Sequence, residues 1–303
     1  MILECIDINK SFGEKHVLKD LSFTATSGSA VGLLGRNGAG KTTSIRIIMS
    51  FFGADSGKVL LDGKPISPKD VKIGYLPEER GLYPKKKIGE QMMYLAQLRG
   101  LNRRDAEKSI RYWLDRVELG EYYDKKLDTL SKGNQQKIQL ALTLLNDPDI
   151  VIFDEPFSGL DPVNAMMLKN IITEYKTKDK IALFSSHQMS YVEEFCDDVV
   201  ILHDGRIALG GNLRTIKRGY PRENILLVPE DDNVDNLIKI MTDGDFSAIV
   251  TDVKRQNNAV SAKLIADEHK DAVLKKLIDR NVSISRFEIV EPSLEQIFIS
   301  VAQ

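Results

Sequence analysis

Residues 30–52 constrain the fold most. Ala30-Val31-Gly32-Leu33-Leu34 is a short apolar run that leads straight into Gly35-Arg36-Asn37-Gly38-Ala39-Gly40-Lys41-Thr42-Thr43. From Thr43 to Phe52 apolar residues then recur at helical spacing. The order strand, glycine-rich loop, helix is what a phosphate-binding loop of the pattern G-x-x-x-x-G-K-[ST] requires. Glycines let successive N–H groups point at phosphate oxygens, and the helix adds the positive end of its dipole. In this reading Lys41 reaches the β- and γ-phosphates and Thr42 holds Mg²⁺. The ordinary alternative is a glycine-rich turn before a helix.

Asp154 and Glu155 follow a second apolar run, Ile150-Val151-Ile152-Phe153. An acidic residue at the C-terminal end of a parallel strand sits where ligands bind in such sheets. Asp154 is placed to hold Mg²⁺ through water, and Glu155 to accept a proton from an attacking water. A pair of helix-capping acids before Pro156 is the competing reading.

Around these segments, strands alternate with helices, which predicts a largely parallel α/β core behind an antiparallel start over residues 1–30. Val59–Lys64 and Val199–Ala208 read as hairpins around Asp-Gly turns. From Ile88 to Leu119 the spacing is helical, broken at Gly100-Leu101-Asn102, and a further helix is expected from about Asn134 to Leu145. Past about residue 220 the pattern becomes strand 224–228, helix 234–241, strands 246–254 and 259–265, helix 268–280 and strand 284–290. That βαββαβ order is the ferredoxin-like split motif. A last helix opens at Pro292-Ser293-Leu294-Glu295-Gln296 with a Ser-x-x-Gln capping box. The expected domains are therefore 1–219 and 220–303.

Composition narrows the class. A chain of 303 residues with 42% hydrophobic and 28% charged residues is ordinary for a globular protein. Its net charge of −2 exerts no global pull toward nucleic acid or anionic lipid. The two cysteines, Cys5 and Cys196, suit a reducing cytosol. The start lacks the blocks of a signal peptide, and no apolar run approaches the roughly 20 residues that span a bilayer. The chain is not expected to form a membrane channel itself. Basic residues cluster at Lys85-Lys86-Lys87 and at Arg99, Arg103 and Arg104. They form either a face toward anionic lipid or a membrane partner, or, more ordinarily, a solvated helix face.

The segment Leu130-Ser131-Lys132-Gly133-Asn134-Gln135-Gln136-Lys137 follows the phosphate loop by about ninety residues and precedes the acidic strand end. It resembles the Leu-Ser-Gly-Gly-Gln signature of the ATP-binding cassette family, and residues 1–215 resemble a cassette throughout. The resemblance implies a P-loop NTPase core with an antiparallel β subdomain and a helical insert, here about 84–145, beside the small α+β ferredoxin-like domain. It also implies ATP and Mg²⁺ as ligands, with Gly35 to Thr43 around the phosphates. Phe12 matches the aromatic residue that stacks on adenine. Ser131 and Gly133 reach across a homodimer to the nucleotide of the other subunit. Ser158-Gly159-Leu160-Asp161 resembles the loop that crosses that interface, and His187 the switch histidine at the γ-phosphate.

Two departures from the family pattern stand out. Glu78, in Leu76-Pro77-Glu78-Glu79-Arg80-Gly81-Leu82-Tyr83, occupies the slot of a Mg²⁺-sensing Gln, and Lys132 and Asn134 replace Gly and Gln in the signature. A carboxylate at 78 meets the metal but repels the γ-phosphate when the metal is absent, and a solvated acidic turn is the plain alternative. Both strings, and the ending Glu291-Pro292-Ser293-Leu294-Glu295-Gln296-Ile297-Phe298, resemble bacterial cassettes of the exporter branch that includes antibiotic-resistance and sodium-extrusion pumps. That implies an integral membrane permease as partner, a place on the inner face of the cell membrane, and no nucleic acid. A soluble cassette protein acting on ribosomes or nucleic acid is the alternative. Translation-type members carry two cassettes and repair-type members a long coiled coil, and this chain has neither. The C-terminal module either regulates the cassette, stabilises its dimer, or merely packs.

Overall fold

The computed structural model describes residues 1–301 apart from 68, 80, 158, 159, 161 and 178, and at 162 and 177 the backbone alone. Two compact units form, residues 1–213 and 214–300. The division falls at 213/214 where the sequence placed it at 219/220, because the helix Leu213–Gly219 groups with the second unit.

The first unit opens with β1 (Ile2–Phe12) and β2 (Lys15–Thr26), then β3 (Ala30–Gly35) and α1 (Lys41–Ile48). Next come β4 (Ser56–Leu61), β5 (Lys64–Pro65) and β6 (Ile73–Leu76). The helical insert holds α2 (Ile88–Leu98), α3 (Arg103–Arg116) and α4 (Lys132–Leu144). Then follow β7 (Ile150–Asp154), α5 (Pro162–Thr177), β8 (Ile181–Ser186), α6 (Met189–Phe195), β9 (Asp198–His203) and β10 (Arg206–Asn212).

These strands make two sheets. One is antiparallel in the order β2-β1-β4-β5, and the other runs β10-β9-β3-β8-β7-β6, parallel except for β10. The parallel strands are buried on both faces, which is why β3, β7 and β8 read as unbroken apolar runs. The main core joins the sheets and α1 through Leu3, Ile8, Leu18, Leu33, Ile45 and Ile152. At about 1.5–3 kcal/mol for each large aliphatic side chain, this burial fixes α1 against the sheet. On the opposite face Phe153 stacks on Phe184 at 4.8 Å.

Within the insert, α2 ends and α3 begins around the break that the sequence placed at residues 100–102. Asn102 caps α3 by accepting from the Asp105 amide at 2.9 Å, and α4 starts two residues before the expected Asn134 because Ser131 is its cap, 3.3 Å from the Asn134 amide. Two buried side chains of α4 tie it to the core: Thr143 Oγ1, 2.8 Å from the Gln139 carbonyl, also reaches the Tyr75 carbonyl at 3.2 Å, and Gln139 Nε2 donates to the Glu79 carbonyl at 3.1 Å. Arg99 leaves the expected solvated basic face, for its guanidinium donates to the Leu142 carbonyl. Lys85 to Lys87, Arg103 and Arg104 are exposed.

The second unit contains most of α7 (Leu213–Gly219), then β11 (Asn224–Pro229), α8 (Val234–Met241), α9 (Gly244–Ser247), β12 (Val250–Gln256), β13 (Ala259–Leu264), α10 (Lys270–Asp279), β14 (Ile284–Val290) and α11 (Leu294–Val301). Its sheet runs β12-β13-β11-β14, all antiparallel, which is the ferredoxin-like order. One correction concerns the strand expected from 246. Residues 244–247 form a helical turn capped by Asp243, with Phe246 buried in the core, and the strand begins at Val250. The capping box is present in both directions: the Gln296 amide donates to Ser293 Oγ at 3.2 Å and the Ser293 amide to Gln296 Oε1 at 3.0 Å.

Gly74 sets the spacing between β6 and α4. A Cβ there would lie 2.6 Å from the Thr143 carbonyl oxygen and 2.8 Å from Pro148 Cγ. Gly74→Ala is expected to destabilise the first unit by about 1–3 kcal/mol. Urea unfolding followed by the fluorescence of Trp113, the sole tryptophan and buried in α3, measures it.

Candidate functional site

The carboxyl ends of β3, β7 and β8 meet in one crevice, the place where open α/β sheets bind ligands. The cavity there has a volume of about 600 Å³, and its walls include Arg36, Gly38, Lys41, Thr42, Asp154 and Glu155, with Glu78 and His187 at its rim. Asn37, Gly40 and Thr43 also face it, as do Lys15 and Val17 of β2. Ala39 lines an adjoining pocket with Arg36 and Asn37.

The loop after β3 is shaped for an anion. Gly38 and Gly40 have φ of 84° and 112°, in the left-handed region that costs a side chain but not glycine. A Cβ on Gly38 would meet no atom within 4 Å, so the loop's inner side is open to a ligand. Gly40 caps α1 without a side-chain hydrogen bond, and no acidic residue lies in the first turn. The first amides of α1 therefore face the cavity with their partial positive charge available. Lys41 is 8% exposed, and its Nζ donates to the Gly35 carbonyl at 2.7 Å. Burial lowers its pKa, and the carboxylates of Glu155, Asp154 and Glu78 oppose that shift.

Two carboxylates stand opposite this cation. Asp154 and Glu155 are 6% and 7% exposed, and each is held by hydroxyls of neighbouring strands. Asp154 Oδ2 accepts from the Tyr75 hydroxyl at 2.9 Å, and its Oδ1 accepts from Ser185 Oγ. Glu155 Oε2 accepts from Ser186 Oγ at 3.2 Å, while Oε1 lies 2.9 Å from His187 Nδ1. Burial first, and then the charge of Asp154, push the Tyr75 phenol above its usual range, so it stays a donor. Glu155 has φ 49°, a conformation costing a non-glycine residue about 1–3 kcal/mol. Its amide donates to the Ser185 carbonyl at 3.0 Å, which holds that turn and aims the side chain along the strand end at His187.

The donor set fits Mg²⁺ bound together with phosphates. Mg²⁺ takes one or two protein oxygens and completes its octahedron with phosphate and water. Thr42, Asp154 and Glu78 face one cavity with a phosphate cradle. Among the described residues no three His, Cys, Asp or Glu form an all-protein cage.

Other expected site residues lie elsewhere. Phe12 is half exposed at the end of β1, edge-on to Phe52 at 5.5 Å with Lys10 near both rings, and is not in the cavity wall. Ser131, exposed, and Gly133, half-buried, sit at the N-terminus of α4 and do not line this chain's cavity. Asp161, with Ser158 and Gly159, lies outside the described residues. Sequence reasoning missed Tyr75 and the hydroxyls of Ser185 and Ser186. Register was the available signal for two of them: Tyr75 pairs with Ile152 and Ser185 with Asp154, so both side chains share the face of Asp154.

Comparison with known proteins agrees with this geometry. Residues 18–158 match the family described as "ABC transporter", and residues 211–302 match "ATP-binding protein DrrA1-3-like, C-terminal domain". The chain is 39% identical over 294 residues to the ABC transporter ATP-binding protein YhaQ of Bacillus subtilis, covering 96% of this chain and 95% of that protein. It is 29% identical over 308 residues to the linearmycin resistance ATP-binding protein LnrL of the same organism, covering 99% and 98% of the two. The solved structure of an ATP-binding subunit of an ABC transporter superposes with a TM-score of 0.67 at 32% identity, over 72% of this chain and 92% of the other. The chain belongs to the ATP-binding subunits of ABC transporters, a family of ATPases, and carries a DrrA-like C-terminal domain.

Proposed function

We propose that this subunit hydrolyses Mg-ATP in a homodimer and thereby drives a separate membrane permease of the exporter type. One observation carries the reading: a single cavity gathers an open phosphate cradle, a buried lysine, two buried carboxylates and a histidine. In this mechanism the loop amides and Lys41 bind the β- and γ-phosphates and offset their charge as it shifts. Thr42 and Asp154, with Glu78 on the same cavity, would hold Mg²⁺, which would supply neutralisation of phosphate charge. Glu155 accepts a proton from the attacking water. His187 stands with Nδ1 2.9 Å from Glu155 Oε1 and lines the cavity where the γ-phosphate would lie.

What the cavity lacks supports a dimer. Ser131 and Gly133 lead a 13-residue helix whose dipole presents its positive end there, yet they are not in their own chain's wall. A second copy would present them to the γ-phosphate, with Asp161 at the same interface, while Phe12 of the nucleotide's own chain would lie against adenine.

A groove of about 420 Å³ between core and insert, walled by Phe51, Leu82, Leu95 and Leu142, suits an apolar element of the permease. Phe51 is 67% exposed there. No helix among the described residues is long and apolar enough to cross a membrane, so a membrane step needs such a partner. The whole-length similarity to a protein named for linearmycin resistance supports the exporter assignment, with the subunit at the inner face of the membrane and no nucleic acid as ligand.

Glu155→Gln is expected to bind ATP normally and to hydrolyse it about 10²–10⁴-fold more slowly, accumulating a dimer on gel filtration. Wild-type turnover would remove Glu155 as the base. Ser131→Arg is expected to abolish hydrolysis while monomeric ATP binding stays intact; equal loss of both would rule out action in trans. Mass spectrometry of proteins that co-purify from detergent-solubilised membranes is expected to return an integral membrane protein. Recovery of ribosomes or nucleic acid instead would favour the soluble alternative.

A further inference from the structure

We infer that Tyr75 is a positioning residue that couples occupancy of the groove beside the helical insert to the metal-facing carboxylate of Asp154. The inference rests on the reading of Asp154 as a Mg²⁺ residue. Tyr75 has two sides. Its hydroxyl donates to Asp154 Oδ2 at 2.9 Å, and its ring forms part of the groove wall with Phe51, Leu82, Leu95 and Arg99.

Asp154 is too buried for water to orient it. Its two oxygens are held by hydroxyls from the strands on either side, Tyr75 of β6 and Ser185 of β8. Each oxygen keeps further acceptor capacity for the cavity. Of these two hydroxyls only that of Tyr75 belongs to a side chain that also reaches the groove; Ser185 is fully buried.

The strand that carries Tyr75 is suited to transmit a push. β6 has four residues and is the edge of the sheet, paired only with β7. Its outer side is steadied by α4, through Thr143 on the Tyr75 carbonyl and Gln139 on the Glu79 carbonyl. Glu78, three residues after Tyr75, stands at the rim of the cavity. An apolar side chain wedged against the ring from the groove draws the hydroxyl off Oδ2, so one carboxylate oxygen loses its orientation. Mg²⁺ then binds less tightly, while the phosphate cradle is untouched.

The test uses the full chain, ATP and Mn²⁺, an EPR-visible ion that shares the oxygen preference of Mg²⁺. Tyr75→Phe keeps the ring and removes the hydroxyl. ATP affinity in EDTA is expected to stay within about twofold of wild type, which also verifies folding. Mn²⁺ affinity of the ATP complex is expected to fall about 10- to 100-fold, as for other residues that orient a metal ligand. Leu95→Trp, which fills the groove, is expected to lower Mn²⁺ affinity in the wild-type background and to add nothing in Tyr75→Phe. Ser185→Ala is expected to lower the affinity too, but to combine additively with Leu95→Trp.

Unchanged Mn²⁺ affinity in Tyr75→Phe, or in Leu95→Trp, overturns the coupling, as does additivity of those two changes. Asp154→Asn separates the two claims. If it abolishes Mn²⁺ binding while Tyr75→Phe is normal, only the Tyr75 link fails. If Asp154→Asn itself binds Mn²⁺ normally, the metal reading fails.

Discussion

Three charges out of water, Lys41, Asp154 and Glu155, govern the architecture around them. Each is less than a tenth exposed, and each sits where a parallel strand ends or the helix after it begins. A buried charge left without partners costs about 3–5 kcal/mol, so these positions are tolerable only if the surrounding strands and loops supply partners. They do so through the Gly35 carbonyl for Lys41, the Tyr75 and Ser185 hydroxyls for Asp154, and Ser186 with His187 for Glu155. Strand register makes this possible. A slip of one residue in β6 or β8 would turn Tyr75 or Ser185 to the other face of the sheet.

The same demand explains the strained turn at Glu155. Continuing the strand would send residue 155 to the face opposite Asp154, into the layer of Phe153 and Phe184. The left-handed φ ends the extended strand there, and the carboxylate lines the cavity with Oε2 on Ser186 and Oε1 beside His187. The Ser185 carbonyl holds the amide of the turn, so the strain is stored in place.

The helical insert is bound to this centre by a few polar contacts. Besides Thr143 and Gln139, Gln136 Nε2 donates to the Pro156 carbonyl at 2.7 Å. One helix, α4, thus touches the exit of β6 and the exit of β7, while its own N-terminus carries Ser131 and Gly133. Movement of the insert and geometry at the strand ends are mechanically linked within one copy. A peripheral helix otherwise resting on apolar contacts would have no such directional hold.

Much of this was legible in the order of residues. The strand–loop–helix around Gly35 to Thr43, the acidic end of β7, the capping box at Ser293 and the βαββαβ order of the second unit are local patterns. Periodicity and capping chemistry act over a few residues, so a linear reading reaches them. Where local signals competed, the reading failed. Phe246 belongs to a helical turn whose packing overrides its strand propensity, and Arg99 finds a carbonyl on a helix 43 positions away. The amino-acid order alone determined which groups are available for phosphate chemistry. Only the tertiary structure decided which hydroxyls hold them, since Tyr75, Asp154 and Ser185 are brought together by the register of three strands far apart in sequence.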